Sequence, residues 1–455
     1  MQKALRITTI LLLAILLALF ALWAFGGETT GPGLAAAALS ALLYAVCGIL
    51  FLPKLFSDYG RELPAPDAGL GRRSNRFSVR HPWAQIALAV LLSRILIYVL
   101  AYAASTLMFG YEGGIFDTLR GLWVRSDANS YIGIAERWYV TEGDPRFHIV
   151  FFPFYPLLAG GLNLILQNGF ASCLVISNLS AMAAGCFAYE LFALDYRRRD
   201  ALRAVKFLFL LPAAFFLNAP MTESLFILLS LASLYFARKR SFLLSCILAA
   251  FAGFTRSLGA LLLLPIAIEM AYWLGEKQKA GEGKPAQTVK TLLQLLIVPL
   301  GLAAYLAINY ALTGDALKFM EYQREHWNQG FGFFWNSAAY QTAYLQNAVA
   351  AGDGRMALGL YLPNLLCSFG ALALMIPAVK RIRPAYSAYF MAYFAVAIGA
   401  TWLLSAPRYL TAAFPLALSL MLLSRRRAVN AVLTALLALL QLGYLVMFMA
   451  GYPVY

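Results

Sequence analysis

Residues 151–166 read Phe151-Phe-Pro-Phe-Tyr-Pro156-Leu-Leu-Ala-Gly-Gly-Leu-Asn-Leu-Ile-Leu166. The run is apolar, but it is barely as long as the roughly 20 residues that a helix needs to cross a bilayer. Prolines at its third and sixth positions bend its start. Whether it crosses decides the side of everything that follows. Short cytoplasmic loops carry the excess of Lys and Arg, and the next apolar run ends at Arg197-Arg198-Arg199. If 151–166 crossed, those arginines and most later basic clusters would lie outside. If it is re-entrant or interfacial, the clusters within 54–80, 197–206, 238–240, 277–290, 380–383 and 425–427 all lie inside. With Lys3 and Arg6 they hold 26 of the 36 Lys and Arg. One choice satisfies every loop, so a re-entrant or interfacial segment is the expectation, and residue 455 then faces outward.

Moving outward, apolar runs lie near 7–25, 34–56, 83–109, 171–193, 205–218, 220–237, 241–256, 257–274, 291–312, 357–379, 385–404, 408–423 and 428–450. They predict an all-α polytopic membrane protein of about 13 spans. Composition agrees. Of 455 residues 62% are hydrophobic and 13% charged, against about 25% charged in a soluble domain, and the mean hydropathy is +0.71. A soluble enzyme, a disordered chain and a secreted disulfide scaffold are excluded. The net charge of +15 is read as topology-setting loop charge, not as a nucleic-acid surface. The first run is too long for a signal peptide's apolar core and lacks an A-x-A site, so it reads as a retained helix. The organisation expected is two N-terminal helices (1–56), a cytoplasmic basic loop (57–82) and a membrane core (83–455). Five scattered cysteines and three distant histidines, His81, His148 and His326, offer no metal-ligand spacing.

The core leaves two sizeable outer loops, 110–150 and 313–356, rich in carboxylates and in Tyr and Trp. Asp127 opens a short amphipathic pattern, with Tyr131, Ile134 and Ala135 on one face. A carboxylate at a helix start is ordinary, but beside an apolar surface it can also serve as a general base. Asp117, Glu136 and Glu223 compete for that role. Glu223 begins a span in Asn218-Ala-Pro-Met-Thr-Glu223-Ser224. Arg256 and Arg408 are lone cations at outer boundaries, suited to bidentate contact with one anionic headgroup. Arg94 lies mid-span and requires a partner such as Asp or Glu from another helix, or a lipid phosphate.

These segments together resemble the GPI mannosyltransferase II (PIG-V-like) family of GT-C glycosyltransferases. The resemblance runs in order through Asp127-Ala-Asn-Ser-Tyr131-Ile-Gly-Ile-Ala135, Phe151-Phe-Pro-Phe-Tyr-Pro156, Asn218 to Ser224, Thr255-Arg256-Ser257 with Gly259, and Arg408-Tyr409 with Phe414-Pro415. The family usually has Trp before the first-loop Asp, where this chain has Ser126, and often Gly-Tyr where it has Trp138-Tyr139. The resemblance implies transfer of a sugar, usually mannose, from a polyprenyl-phosphate donor to an acceptor hydroxyl of a glycan, lipid or protein at the outer face. Asp127 would be the base. Glu223, Arg256, Arg408, Tyr131 and Arg94 would line the substrate site, and Tyr and Trp of 313–356 would cover the sugar. Membrane lipid is an expected partner, nucleic acid is not, and no cofactor or metal is expected. The only N-x-S/T sequon, at Asn178, falls inside a span, which favours a bacterial inner membrane with a periplasmic site. The second class considered is a transporter or flippase of lipid-linked saccharides, which would place charged residues along a path to both sides.

Overall fold

The computed structural model describes residues 2–27, 29, 31–59, 82–110 and 112–455. Most of the expected basic loop 57–82, His81 included, therefore lies outside the described residues. The described chain is built from helices, with a lone antiparallel bridge between Phe331 and Ala400. In order they are α1 (Gln2–Gly26), α2 (Gly31–Ser57), α3 (Trp83–Phe109), α4 (Ile115–Trp123), α5 (Asp127–Arg137), α6 (Phe154–Leu166), α7 (Gly169–Ala193), α8 (Arg198–Leu210), α9 (Glu223–Arg238), α10 (Phe242–Thr255) and α11 (Leu263–Lys279). There follow α12 (Pro285–Leu293), α13 (Leu300–Thr313), α14 (Lys318–Trp327), α15 (Phe334–Ala350), α16 (Gly354–Met356), α17 (Leu362–Met375), α18 (Pro384–Ala397), α19 (Ala406–Thr411), α20 (Pro415–Leu423) and α21 (Arg427–Met449).

Among the described residues, 8 helices are long and apolar enough to cross a membrane. The chain is a multi-pass integral membrane protein. Its large exposed side chains include Leu11, Ile95, Leu164, Leu296 and Leu436, a surface that suits hydrocarbon as solvent. The other five apolar runs form shorter elements. Pro212 and Pro220 interrupt the chain between α8 and α9, and Pro407 and Pro415 open the short α19 and α20, because proline cannot continue a hydrogen-bonded helix.

The run that decides sidedness forms α6, and the 3₁₀ turn before it, Asp144–Val150, meets α6 at 118°. The 13 residues of α6 rise only about 20 Å, against a hydrocarbon core of about 30 Å. Helices α3 and α7 flank this excursion and are antiparallel neighbours. Trp83 Nε1 donates to Glu190 Oε1 at 2.8 Å, and Asn178 Nδ2 donates to Tyr98 Oη at 2.8 Å. The chain therefore leaves α3 and enters α7 at the same end of the bundle, and 112–166 makes no net crossing.

Two polar knots mark the ends of the bundle. At one, Arg238 Nη1 is 2.6 Å from Asp195 Oδ2, and Arg383 holds Glu269 through Nε at 2.5 Å and Nη2 at 2.8 Å. The Tyr386 hydroxyl donates to Asp195 Oδ2 at 3.0 Å, and Lys54 Nζ donates to the Ile382 carbonyl. The ends of α2, α7, α9 and α18 are tied to one another and to the middle of α11 there, so the basic clusters around 54, 238 and 383 do share one pole. Asp195 and Glu269 are the part the sequence reading missed, since that pole was expected to hold only basic turns. Between the poles the core is apolar and aromatic: Phe192, Phe226, Phe394, Phe414 and Met375 are all buried. The opposite pole carries the second knot.

Candidate functional site

Helix α5 is set by its ends. Ser126 before it has φ 49° and Trp138 after it has φ 62°, conformations that residues with a Cβ adopt at a cost of order 1–3 kcal/mol each. Between them Ala128 and Ser130–Ala135 are buried. Helix α6 comes so close that a Cβ on Gly160 would sit 2.9 Å from the Ala135 carbonyl oxygen. Tyr131 stands edge-on to Phe151 and Tyr155, with centroids at 5.1 and 5.4 Å. Its hydroxyl is pushed well up from the usual phenol range by burial, with the Asp127 charge acting in the same direction, so it stays protonated.

Glu223 begins α9 from a braced loop. Ser177 Oγ donates to the Ala219 carbonyl at 2.7 Å, and Ser224 Oγ donates to the Leu217 carbonyl at 2.8 Å. Arg94 belongs to this bracing. Its Nη1 donates to the Ala214 carbonyl at 2.8 Å and to Asn218 Oδ1 at 2.9 Å, and its guanidinium lies 5.2 Å from the Phe209 ring centroid. This corrects the expectation for Arg94. Among the described residues no carboxylate pairs with it, and at 1% exposure it does not reach the cleft. A carbonyl and an amide satisfy it instead, and it acts on the site only by holding the segment before Glu223.

Arg256 sits at the break between α10 and the 3₁₀ turn Ser257–Leu262, in extended backbone. The turn folds back because residue 259 is glycine: a Cβ there would fall 2.2 Å from backbone atoms of Ala252 and Gly253. Arg408 lies in α19, just after the proline that opens it.

These four segments, far apart in sequence, converge. Arg408 Nη2 is 2.6 Å from Asp127 Oδ2, and its Nε is 2.7 Å from Glu223 Oε1. Arg256 Nη1 is 2.5 Å from the same Glu223 oxygen. Tyr409 and Phe226 lie against the Arg256 guanidinium, at 5.7 and 6.0 Å to the ring centroids. The chain of charges is neutral in sum, but access differs along it. The Asp127 side chain is 32% exposed, Arg408 4% and Glu223 1%. Asp127 is therefore the carboxylate a bound molecule can touch, and Glu223 is the one that holds both arginines. Glu223 Oε2 is buried and has no hydrogen-bond partner among the described residues.

The knot opens into a cleft of about 830 Å³, within the usual size of a small-ligand site. Asp127, Tyr131, Arg256, Arg408 and Tyr409 line one side. The other is formed by Asp315, Phe319, Glu321, Arg324, Glu325 and Phe331, from α14 and its flanks. The tyrosines and tryptophans expected to cover a ligand are elsewhere. Trp327 packs on Phe147 and Phe151, and Trp335 is buried against Phe333. Phe319, Phe331 and Arg324 take the places that sequence reasoning gave to Tyr and Trp. Only the arrival of 313–356 over the cleft could have exposed them, and no local motif carries that. Asp117 and Glu136 are exposed and lie outside the cleft lining. Among the described residues no group of three His, Cys, Asp or Glu could hold a metal ion. The chain matches no protein-family model, no curated protein and no solved structure.

Proposed function

We propose that this protein is a glycosyltransferase of GT-C architecture with about 13 passes, moving a sugar, mannose in the first instance, from a polyprenyl-phosphate donor to an acceptor hydroxyl at the outer membrane face. The observation that carries the reading is the meeting of Asp127, Arg256 and Arg408 on the wall of one cleft, with the buried Glu223 holding both arginines behind it. That set supplies an accessible base and two guanidiniums for a leaving phosphate. In the reaction the acceptor oxygen attacks the anomeric carbon and its proton passes to Asp127. The bond from that carbon to the phosphate oxygen breaks, and its electron pair leaves with the polyprenyl phosphate. Arg256 and Arg408 neutralise the charge that develops there. Donor phosphate competes with Asp127 for Arg408 Nη2, so its arrival frees Asp127 Oδ2 for the acceptor hydroxyl. The membrane supplies the donor laterally. Beside Arg408, Pro407 and Leu410 of the same short helix turn toward an apolar groove of about 420 Å³, walled also by Leu374, Leu416 and Leu440, and in this reading the prenyl chain lies there. In this reading the basic pole faces the cytoplasm and the cleft the periplasm, the membrane being a bacterial inner membrane. The test is turnover by the purified chain on a panel of radiolabelled polyprenyl-phosphate sugars. One donor should release polyprenyl phosphate in step with sugar transfer. No turnover of any donor, with and without added divalent cation and across glycan, lipid and peptide acceptors, would overturn the reading.

A further inference from the structure

The cavity between α8 and α21, at the pole opposite the cleft, plays no part in the proposed reaction. It is about 390 Å³ and is lined by Arg199, Arg203, Lys206, Arg425 and Arg427, with Leu202, Ser424 and Asn430. Its charge is lopsided. Residues 197–210 and 424–434 together hold eight Lys and Arg and one acid, Asp200, which lies 3.1 Å from Arg203 Nη1. Both helices also begin here. Their N-cap residues are Arg197 and Arg426, whose side chains have donors but no acceptor for the first-turn N–H groups. Asp200 sits in the first turn of the 13-residue α8, whereas the 23-residue α21 has no acid in its first turn, so the positive end of α21 adds to the cations. Such a site is stabilised by an anion.

The cavity is braced. Lys206 Nζ donates to Asn430 Oδ1 at 2.9 Å and to Thr434 Oγ1 at 2.6 Å. These bonds fasten α8 to α21 and hold the ammonium at the cavity wall. Arg425 also lines the neighbouring cavity, where Lys54, Lys380, Arg381 and Arg383 outnumber Asp58 and Asp195, so a net positive charge continues beyond the first pocket. The surroundings select the kind of anion. Leu202 of the cavity lining and Leu423 at the end of α20 beside it are 45% and 40% exposed, and α21 is one of the spanning helices. Cationic groups above an open apolar wall complement a phosphate that carries acyl chains, and a free phosphate would leave that wall unused.

We infer that this cavity binds the headgroup phosphate of an anionic phospholipid, its acyl chains lying along α21. The test is lipid binding to the full chain in detergent, followed by native mass spectrometry. Phosphatidylglycerol is titrated against phosphatidylcholine, with inorganic phosphate as competitor. Phosphatidylglycerol should bind the more tightly. The double variant Arg199→Gln/Arg427→Gln, at two exposed positions, should weaken it about tenfold or more, from the contribution of each basic residue at an anionic membrane surface. The variant Lys279→Gln/Lys284→Gln removes the same charge from another exposed turn and should leave binding as it was. Equal weakening by both doubles would reduce the site to general electrostatics. Displacement of the lipid by inorganic phosphate at matching concentrations would make it a free-anion site. Either result overturns the inference.

Discussion

Asp127 and Glu223 are both carboxylates of one ion-paired knot, and burial divides their work. Glu223 is sealed at 1% exposure and bridges two arginines, whereas Asp127 is 32% exposed on the cleft wall. In the proposed reaction, Asp127→Asn keeps shape and loses the proton acceptor. Turnover of the donor should fall by about 10²–10⁴-fold, with donor binding retained because Arg256 and Glu223 stay in place. Asp117→Asn and Glu136→Gln should be near neutral, since both side chains are exposed and away from the cleft. Radiolabelled donor turnover and equilibrium donor binding, measured on the same preparations, check this. Near-normal turnover in Asp127→Asn alongside an inactive Glu223→Gln would move the base to Glu223. Arg408 contacts Asp127 through Nη2 and Glu223 through Nε. A lysine keeps the charge but offers one nitrogen where two are used. Arg408→Lys should therefore lower turnover at subsaturating donor, and full activity would mean that the planar fork has no role.

At the scale of elements, the position of Arg256 depends on a fold-back that only glycine permits. In Gly259→Ala the new methyl carbon would meet backbone, not a flexible side chain, at 2.2 Å. Overpacking of this kind costs about 1–3 kcal/mol or more. The variant should melt at a lower temperature and lose turnover beyond what its folded fraction explains, measured by thermal denaturation beside donor turnover. Unchanged activity per folded molecule would show that Arg256 does not depend on this turn. The same comparison shows what was legible in the sequence. Long spans such as α2, α3 and α7 were readable because twenty or so apolar residues in a row admit few other readings. Glu223, Arg256 and Arg408 were readable as charges at span boundaries, where a charge carries information, and Asp127 as the carboxylate that opens an amphipathic pattern in an outer loop. The breaks around Arg256 and Arg408, the aromatics lining the cleft and the partners of Arg94 were not. The partners of Arg94 lie 120 and 124 residues away, the cleft aromatics come from a segment distant from Asp127, and the breaks rest on a close backbone approach at Gly259 and on prolines; hydrophobic periodicity carries none of these. Asp195 and Glu269 were missed for a related reason: among basic turns a single acid looks like solvated surface until its arginines are placed.

For the whole molecule, the antiparallel pair α3 and α7 returns the chain to the end it left, so Arg198 and Asp127 belong to opposite faces. A cysteine introduced at Arg198 should be protected from an impermeant maleimide in intact cells or spheroplasts and should react once the membrane is opened. Labelling from outside would overturn that sidedness. The two polar knots at the ends then make a sharper prediction, because enzyme and transporter readings use them differently. A transporter would work both knots in turn along a path of charge, whereas an enzyme facing one way needs the far knot only to hold five helices together. The side chains of Arg383 and Glu269 are 12% and 5% exposed. Removing one partner of a buried pair costs about 3–5 kcal/mol, because the other charge is left uncompensated. Arg383→Gln should therefore lower the melting temperature clearly and leave turnover per folded molecule within about twofold of wild type, the change expected when reacting groups are untouched. Asp127→Asn should do the reverse. The two variants are compared by thermal denaturation and by donor turnover normalised to folded protein. If Arg383→Gln removed turnover as fully as Asp127→Asn, the poles would be functionally coupled through an apolar core. A lipid-linked saccharide transporter would then describe the molecule better than a transferase.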